Sequence, residues 1–99
     1  MRMMLRCYMD NEAGNKAIID GSLPKIIGRV SEMIKPEAAY FYPDNGGRSC
    51  MMVFNLEDTS DLPRILEPLF IDLKAEVEIF PVMNAGDLEK GFGKLQQGR

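Results

Sequence analysis

The spacing of apolar residues changes along this chain in a definite order, and that order limits the folds the chain can form. Four segments have the alternating or aromatic-rich pattern of strands: 1–9, 38–42, 48–56 and 75–83. Two others, 22–36 and 62–70, carry apolar residues at every third or fourth position, as amphipathic helices do. The predicted order is strand, helix, strand, strand, helix, strand.

Turn and capping residues set the boundaries of these elements. The run from Asp44 to Gly47 supplies residues that accept a positive φ, and it predicts a tight hairpin between the second and third strands. Ser22 is expected to cap the first helix, with Pro24 in its first turn. Pro68 lacks a backbone donor and is expected to kink or split the second helix near Glu67.

The order of elements predicts an α+β fold of the ferredoxin-like sandwich type (βαββαβ), with a four-stranded antiparallel sheet and helices on one face. Pro81 cannot donate to a strand ladder, so the last strand is expected at a sheet edge, antiparallel to the first. In that arrangement Arg6 faces Glu78, and Tyr8 lies near Glu76.

The remaining segments add short helical regions to one domain. The segment from Asp10 to Asp20 has a good helix cap in Asp10 or Asn11 but few apolar residues. Residues 84–99 are expected to form a C-terminal tail helix with Asn84 as its cap. Since no linker or repeat divides the chain, we expect a single domain over 1–99.

The chain contains no histidine, which removes the usual general base near neutral pH and the commonest metal ligand. Its two cysteines, Cys7 and Cys50, cannot supply a four-ligand zinc site. We therefore predict neither a metal nor a cofactor. We expect both cysteines to pack in the core as small hydrophobic side chains rather than to act as a redox pair.

Charge and hydropathy bear on partners and location. The net charge is −3, and the basic residues are scattered, which argues against a nucleic-acid or membrane surface. No apolar stretch is long enough to span a bilayer, and Arg6 interrupts the apolar run at the N-terminus, so no signal peptide is indicated. We expect a cytoplasmic protein with neither nucleic acid nor membrane as a partner.

One face of the predicted sheet is left uncovered by the helices. With Cys50, Met52, Phe54 and Leu56 toward the helices, alternation sends a mixed set to this open face: Arg2, Met4, Arg6, Tyr8, Ser49, Met51, Val53, Asn55, Glu76, Glu78, Phe80 and Val82. The second strand adds either Tyr40 and Tyr42 or Ala39 and Phe41. Because this face is too apolar for water and too charged for a dry core, we predict a homodimer whose sheets meet face to face.

Six side chains of the open face are candidate ligand-binding residues: Arg6, Tyr8, Tyr40, Tyr42, Asn55 and Glu78. Arg6 would bind a small carboxylate or phenol as a forked donor, and the tyrosines would supply hydroxyl groups and apolar area. The alternative is a plain dimer interface in which Arg6 pairs with Glu78. Glu76 and Glu78 share a strand face as acid–base pairs can, but charges that protect a sheet edge explain them equally well.

The strand order, the length and three segments of the chain resemble a group of small uncharacterised proteins in the dimeric α+β barrel superfamily. The segments are Glu37–Phe41, Leu66–Phe70 and Pro81–Ala85. The architecture is similar to that of antibiotic-biosynthesis monooxygenases, muconolactone isomerases and stress-responsive barrel proteins. The resemblance implies a homodimer with a ligand or substrate pocket between sheet and helices. No catalytic residue can be assigned from the resemblance, because enzymes of this kind commonly use histidine, which this chain lacks, or a family-specific polar set.

We therefore expect a homodimer that binds a small, partly apolar organic molecule. Two alternatives stay open. A cofactor-independent monooxygenase-like or isomerase-like enzyme would need a water-excluding cavity with a poised acid or base. A purely structural or partner-binding module is favoured if side chains fill the space between the sheets and the helix after Asn84 docks on another chain.

Overall fold

The computed structural model describes residues 1–98, which form a four-stranded antiparallel sheet and four α-helices. The strands are β1 (Arg2–Tyr8), β2 (Ala38–Asp44), β3 (Gly47–Asn55) and β4 (Glu76–Pro81). The helices are α1 (Asn11–Ile19), α2 (Ser22–Ile34), α3 (Leu62–Leu73) and α4 (Ala85–Gln97), with a short 3₁₀ turn at Thr59–Asp61. The strands lie in the order β2-β3-β1-β4.

The pairing of the first and last strands is as predicted. β4 lies at the sheet edge and runs antiparallel to β1, with Arg6 opposite Glu78 and Tyr8 opposite Glu76. At the other edge, β2 and β3 are joined by a two-residue turn, in which Asn45 and Gly46 both have positive φ. Such a turn matches the twist of the strands it connects, so its sequence fixes the register of the hairpin.

The core lies between the sheet and the helices and uses the residues that alternation predicted. β1 contributes Met3, Leu5 and Cys7, and β3 contributes Cys50, Met52 and Phe54, all of them buried. The helices cover them with a stripe of buried apolar side chains: Leu23, Ile26, Val30 and Ile34 from α2 and Ile65, Leu69 and Leu73 from α3. This packing leaves the opposite face of the sheet without helical cover from the described chain.

The segment before α2 forms a helix of its own. Asp10 caps α1 by accepting a hydrogen bond from the Ala13 amide at 3.0 Å, as one of the two predicted caps. The predicted cap at Ser22 is wrong, because the cap position of α2 is Gly21 in the left-handed conformation, with no capping side chain. Gly21 turns the chain sharply, and Ser22 becomes the first helical residue instead.

Pro68 does not divide α3, so of the two predicted outcomes, a kink or a split near Glu67, the split is wrong. The helix runs continuously from Leu62 to Leu73. A proline removes one intrahelical hydrogen bond. Here Ile65 and Leu69 are both buried on either side of it, so packing against the sheet holds the helix together across that position.

The predicted tail helix is present as α4, whereas Arg99 lies outside the described residues. Asn84 and Asp87 form a reciprocal capping box at its start, with hydrogen bonds of 2.8 and 3.1 Å. No residue of α4 is buried. The longest dimension is 57 Å and the radius of gyration 16.0 Å, above the roughly 13 Å typical of about 100 residues. None of the helices within 1–98 could cross a membrane.

Candidate functional site

The open face of the sheet is organised in rows of side chains that cross all four strands. The first row, nearest the β2–β3 turn, is Tyr42, Ser49, Tyr8 and Glu76. The second row is Tyr40, Met51, Arg6 and Glu78. This register resolves the alternative left open for the second strand, because Tyr40 and Tyr42 share the open face and Phe41 points to the helix side.

The next row of the open face is entirely apolar. It consists of Ala38, Val53, Met4 and Phe80, in that order across the sheet. The open face therefore has a polar half near the β2–β3 turn and an apolar half farther from it. These two halves have different physical requirements, since only the apolar one gains from exclusion of water.

Ser49 lies at the centre of the polar half. Its side chain is 5% exposed, and its hydroxyl has no hydrogen-bond partner. The neighbouring pair, Met9 and Arg48, is joined by a backbone hydrogen bond of 2.9 Å, so the alternation of the ladder makes Tyr8 and Ser49 a non-hydrogen-bonded pair. In such pairs the Cα atoms are only about 4.5 Å apart, which brings the side chains close together. A buried hydroxyl without a partner costs stability, so Ser49 marks a place where a polar group is needed.

Arg6 reaches across this part of the face. Its Nη1 lies 3.9 Å from the Glu78 Oε1, and Tyr42 lines the same pocket on the other side of Ser49. The hydrogen bond with Tyr42, followed by the charges of Glu78 and Asp44, raises the pKa of Arg6 above its ordinary value. The guanidinium is thus held by groups from both edges of the sheet, although the 3.9 Å separation from Glu78 is long for an ion pair.

A small pocket of about 140 Å³ lies around Ser49. It collects four of the six predicted site residues: Arg6, Tyr8, Tyr42 and Glu78. It also collects Asp44 and Glu76, so that three carboxylates surround a single guanidinium. The predicted binding of a carboxylate here therefore faces an unfavourable charge balance.

The other two predicted residues do not line this pocket. Tyr40 stands in the second row and is 63% exposed. Asn55 shares the open face but lies six positions along β3 from Ser49, a separation of about 20 Å. There its Oδ1 accepts a hydrogen bond of 2.7 Å from the amino group of Met1. Strand alternation placed Asn55 on the correct face of the sheet, but Asn55 lies outside the pocket around Ser49.

A second and larger cavity lies on the helix side of the sheet. This opening, which we call the hairpin cleft, has a volume of about 620 Å³ and lies between α1, α2 and the β2–β3 turn. Its apolar wall comes from four side chains and a proline ring: Met9, Leu23, Ile27, Phe41 and Pro43. The volume is within the range of small-molecule sites, about 300–1,000 Å³.

Five residues with polar side chains line the hairpin cleft: Asn11, Asn15, Tyr42, Arg48 and Ser49. Asn11 is tied to the turn, since its amide donates to the Gly46 carbonyl at 3.1 Å. Arg48 crosses α1 at Gly14 and donates from Nη1 to the Asn15 Oδ1 at 3.0 Å. Within residues 1–98 no carboxylate pairs with Arg48, because its polar contact is this neutral amide.

The hairpin cleft was not predicted as a site, although part of the signal is in the sequence. Arg48 lies two positions before Cys50, so alternation alone sends its charge to the helix side. The shape of the cleft depends on the sharp turn at Gly21, which sets the angle between α1 and α2. That angle is a tertiary property that residue spacing does not encode.

The two cysteines face each other in the core, as expected. Cys7 and Cys50 are directly opposite on β1 and β3, and both are buried and free. The hydrogen bond to Cys50, together with burial, raises the pKa of Cys7. The thiolate is the reactive form of cysteine, so this environment favours an unreactive, packed thiol.

No protein-family model matches this chain, and no curated protein matches it either.

Proposed function

We propose that the protein is a ferredoxin-like sandwich that forms a homodimer through its open face, in the manner of dimeric α+β barrels, and binds a small organic acid with an apolar body in the hairpin cleft. The ligand proposal rests on Arg48, whose guanidinium has no carboxylate partner in the described chain and lines a cleft that has an apolar wall and no acidic side chain.

The apolar half of the open face supports the homodimer. Met4, Val53 and Phe80 form a continuous row with Ala38, and no helix of the described chain covers them. Burial of apolar area gains about 25 cal/mol per Å². Pairing of two such rows would remove apolar area from water on both copies, while the polar halves would enclose a wetter space between the sheets.

The helix α4 also supports a second copy as the partner. Leu88, Phe92 and Leu95 recur at helical spacing and are 42%, 57% and 63% exposed. The start of α4 is fixed to the body, because Arg2 pairs with both Glu37 and Asp87 at 2.7 Å. An amphipathic helix held in this way presents its apolar stripe to a partner. A twofold dimer would provide the same surface to both copies.

The charge of Arg48 and the apolar wall of the hairpin cleft both favour an organic acid as the ligand. A guanidinium binds a carboxylate through two parallel hydrogen bonds, and Asn11 and Asn15 add amide groups beside it. No acidic side chain is among the residues that line the cleft, so nothing there repels an anion. The wall formed by Leu23, Ile27 and Phe41 suits an aromatic or branched aliphatic body.

The same residues favour binding over catalysis. The polar side chains that line the cleft are two amides, a guanidinium and the hydroxyls of Tyr42 and Ser49, and no carboxylate, histidine or cysteine is among them. General acid–base chemistry requires a group with a pKa near the working pH. The cleft therefore supports a binding role more directly than either enzyme alternative.

Isothermal titration calorimetry with 3-phenylpropionate and with its neutral amide tests the proposal. We expect the acid to bind and the amide to bind at least about tenfold more weakly, because a charge-assisted hydrogen bond contributes about 1.5–3 kcal/mol. Arg48→Met should abolish this preference. Arg29→Met is the matched control, because Arg29 lies on α2 and does not line the hairpin cleft.

Equal binding of the acid and the amide would reject the organic-acid proposal, and so would an unchanged preference in Arg48→Met. Sedimentation velocity tests the dimer separately, through a species of twice the chain mass. A monomer that still prefers the acid would refute the dimer and leave the cleft proposal standing.

A further inference from the structure

We propose that the polar half of the open face is a second binding site, specific for a small organic cation that carries a primary ammonium group. The site is formed by Tyr8, Tyr42, Asp44, Ser49, Glu76 and Glu78. Tyr42 and Ser49 also line the hairpin cleft, but the acidic residues of this site do not, and the proposal does not depend on the ligand proposed for the cleft.

The charges around the pocket determine the sign of its ligand. Asp44, Glu76 and Glu78 line it, and Arg6 is the single cationic side chain among the lining residues. The sum of three negative charges and one positive charge is −2. An entering carboxylate would therefore meet net repulsion, whereas an ammonium group would be attracted. In the described chain these carboxylates belong to no cluster that could hold a metal ion.

Ser49 supplies an independent sign that a polar ligand group is needed. Ser49 lines the pocket, and its hydroxyl is buried and lacks a partner. A serine hydroxyl has two acceptor lone pairs, so it can accept a hydrogen bond from an ammonium N–H. An aliphatic or aromatic group placed there would leave the hydroxyl unsatisfied at a cost in free energy.

The two tyrosines suit the same kind of ligand. Tyr42 and Tyr8 are the cross-strand neighbours of Ser49 on its two sides. Tyrosine rings attract cations at their faces, and tyrosine hydroxyls accept hydrogen bonds. Tyr8 is fixed in place because its ring lies against Gly47 and its hydroxyl donates to the Asn45 carbonyl at 3.4 Å.

Arg6 occupies the position that a cationic ligand would take. Its guanidinium contacts Tyr42 and Glu78, which are two of the proposed ligand partners. The contact with Glu78 is long, at 3.9 Å, and the Arg6 side chain is 44% exposed, so an ammonium group would compete with Arg6 for these partners. Removal of the Arg6 charge should therefore strengthen cation binding, whereas it would weaken binding of an anion.

The pocket volume limits the part of the ligand that enters. About 140 Å³ corresponds to roughly five water molecules at about 30 Å³ each. That space accepts an ammonium group with two or three carbons. A larger body would extend over the second row, where Tyr40 is exposed.

Titration with three matched compounds tests the proposal: 2-phenylethylamine, 2-phenylethanol and 3-phenylpropionate. NMR chemical shifts of the backbone amides report the location. We expect the amine to shift residues 42–49 and 76–78 saturably, and the alcohol to bind at least about tenfold more weakly. Tighter binding of the alcohol or of the acid at these residues would overturn the proposal.

Four variants complete the test. Ser49→Ala should keep the protein folded, because it removes an unsatisfied hydroxyl, and should weaken amine binding about threefold or more. Glu76→Gln should weaken it to a similar extent. Arg6→Met should strengthen amine binding, and Arg48→Met should leave it unchanged. Loss of amine binding in Arg6→Met would overturn the proposal, as would full affinity in both Ser49→Ala and Glu76→Gln.

Discussion

A Cβ atom on Gly47 would lie 2.7 Å from the Tyr8 hydroxyl oxygen and 2.8 Å from two carbons of its ring. The Tyr8 ring therefore lies directly against the backbone at the start of β3, in space that any side chain would fill. This contact positions Tyr8 beside Ser49 in the polar half of the open face. Glycine is required here by close approach rather than by backbone conformation.

Gly47→Ala should lower the free energy of unfolding by about 1–3 kcal/mol, because the Tyr8 ring must move out of a packed position. Urea denaturation measures the change. Gly28→Ala on α2 is the matched control: a Cβ there meets nothing within 4 Å, so the helix should gain about 0.5–1 kcal/mol. Equal effects of the two substitutions would contradict this role of Gly47.

Gly14→Ala should separate the stability of the protein from ligand binding in the hairpin cleft. The new Cβ would lie 3.0 Å from the Arg48 Nη1, and the end of an arginine side chain can move at little cost. We expect a free energy of unfolding within about 1 kcal/mol of the original, because alanine favours the helix, but weaker binding of 3-phenylpropionate. Calorimetry and urea denaturation of the same samples measure both. Gly91→Ala, in open space on α4, should leave the affinity unchanged.

Replacement of apolar residues on α4 should weaken the proposed dimer. Leu88→Ser and Phe92→Ser each remove a side chain that is exposed in the single chain. Burial of such a side chain gains about 1.5–3 kcal/mol, so each change should raise the dimer dissociation constant about tenfold or more. Sedimentation velocity over a dilution series measures it. Ile19→Ser on α1, where the side chain is 86% exposed, is the control, and an equal effect there would refute a specific role for α4.

Two aspartates, Asp20 at the end of α1 and Asp58 at the start of the 3₁₀ turn, should make stability depend on acid pH. Asp20 and Asp58 accept hydrogen bonds of 2.9 Å from the amides of Ser22 and Ser60. The hydroxyl and amide of Ser22 lower the pKa of Asp20, and the amide and hydroxyl of Ser60 lower that of Asp58, below the ordinary value of 3.8.

A carboxyl group whose pKa is lowered by folding stabilises the folded state above its unfolded pKa, and this contribution is lost as the pH falls through the folded pKa. We expect Asp20→Asn and Asp58→Asn to show a smaller loss of stability than the original protein between about pH 5 and pH 2.5. Urea midpoints across that range measure it. An identical pH dependence in all three proteins would contradict the expectation.

Residue alternation carried most of the prediction of the sheet. The buried positions on β1 and β3 and the pairing of Arg6 with Glu78 follow from a period of two combined with one edge strand. The choice between Tyr42 and Phe41 for the open face was not made from the sequence. The length of the turn decides between them, because a two-residue loop places Tyr42 opposite Ser49 and therefore on the open face.

The features that were missed depend on three-dimensional relationships. Ser22 has the chemistry of a helix cap, but the left-handed Gly21 makes the turn and displaces it by one position. Pro68 breaks isolated helices, yet α3 is supported by packing on both sides of it. Asn55 was grouped with Arg6 because alternation predicts which face of the sheet a residue lies on but not how far along the strand it is from the others. Asn55 and Ser49 are about 20 Å apart.

The turn at Asn45 and Gly46 decides the chemistry of two surfaces at once. Through it, Phe41 lies on the helix side of β2 and lines the hairpin cleft, whereas Tyr42 lies opposite Ser49 in the first row of the open face. One residue added to this loop would slip the strand by a single position and exchange the two sets of side chains. The hairpin cleft would then have tyrosine side chains of β2 in place of Phe41, and the open face would become more apolar. Both surfaces would change although no residue that lines them had been replaced.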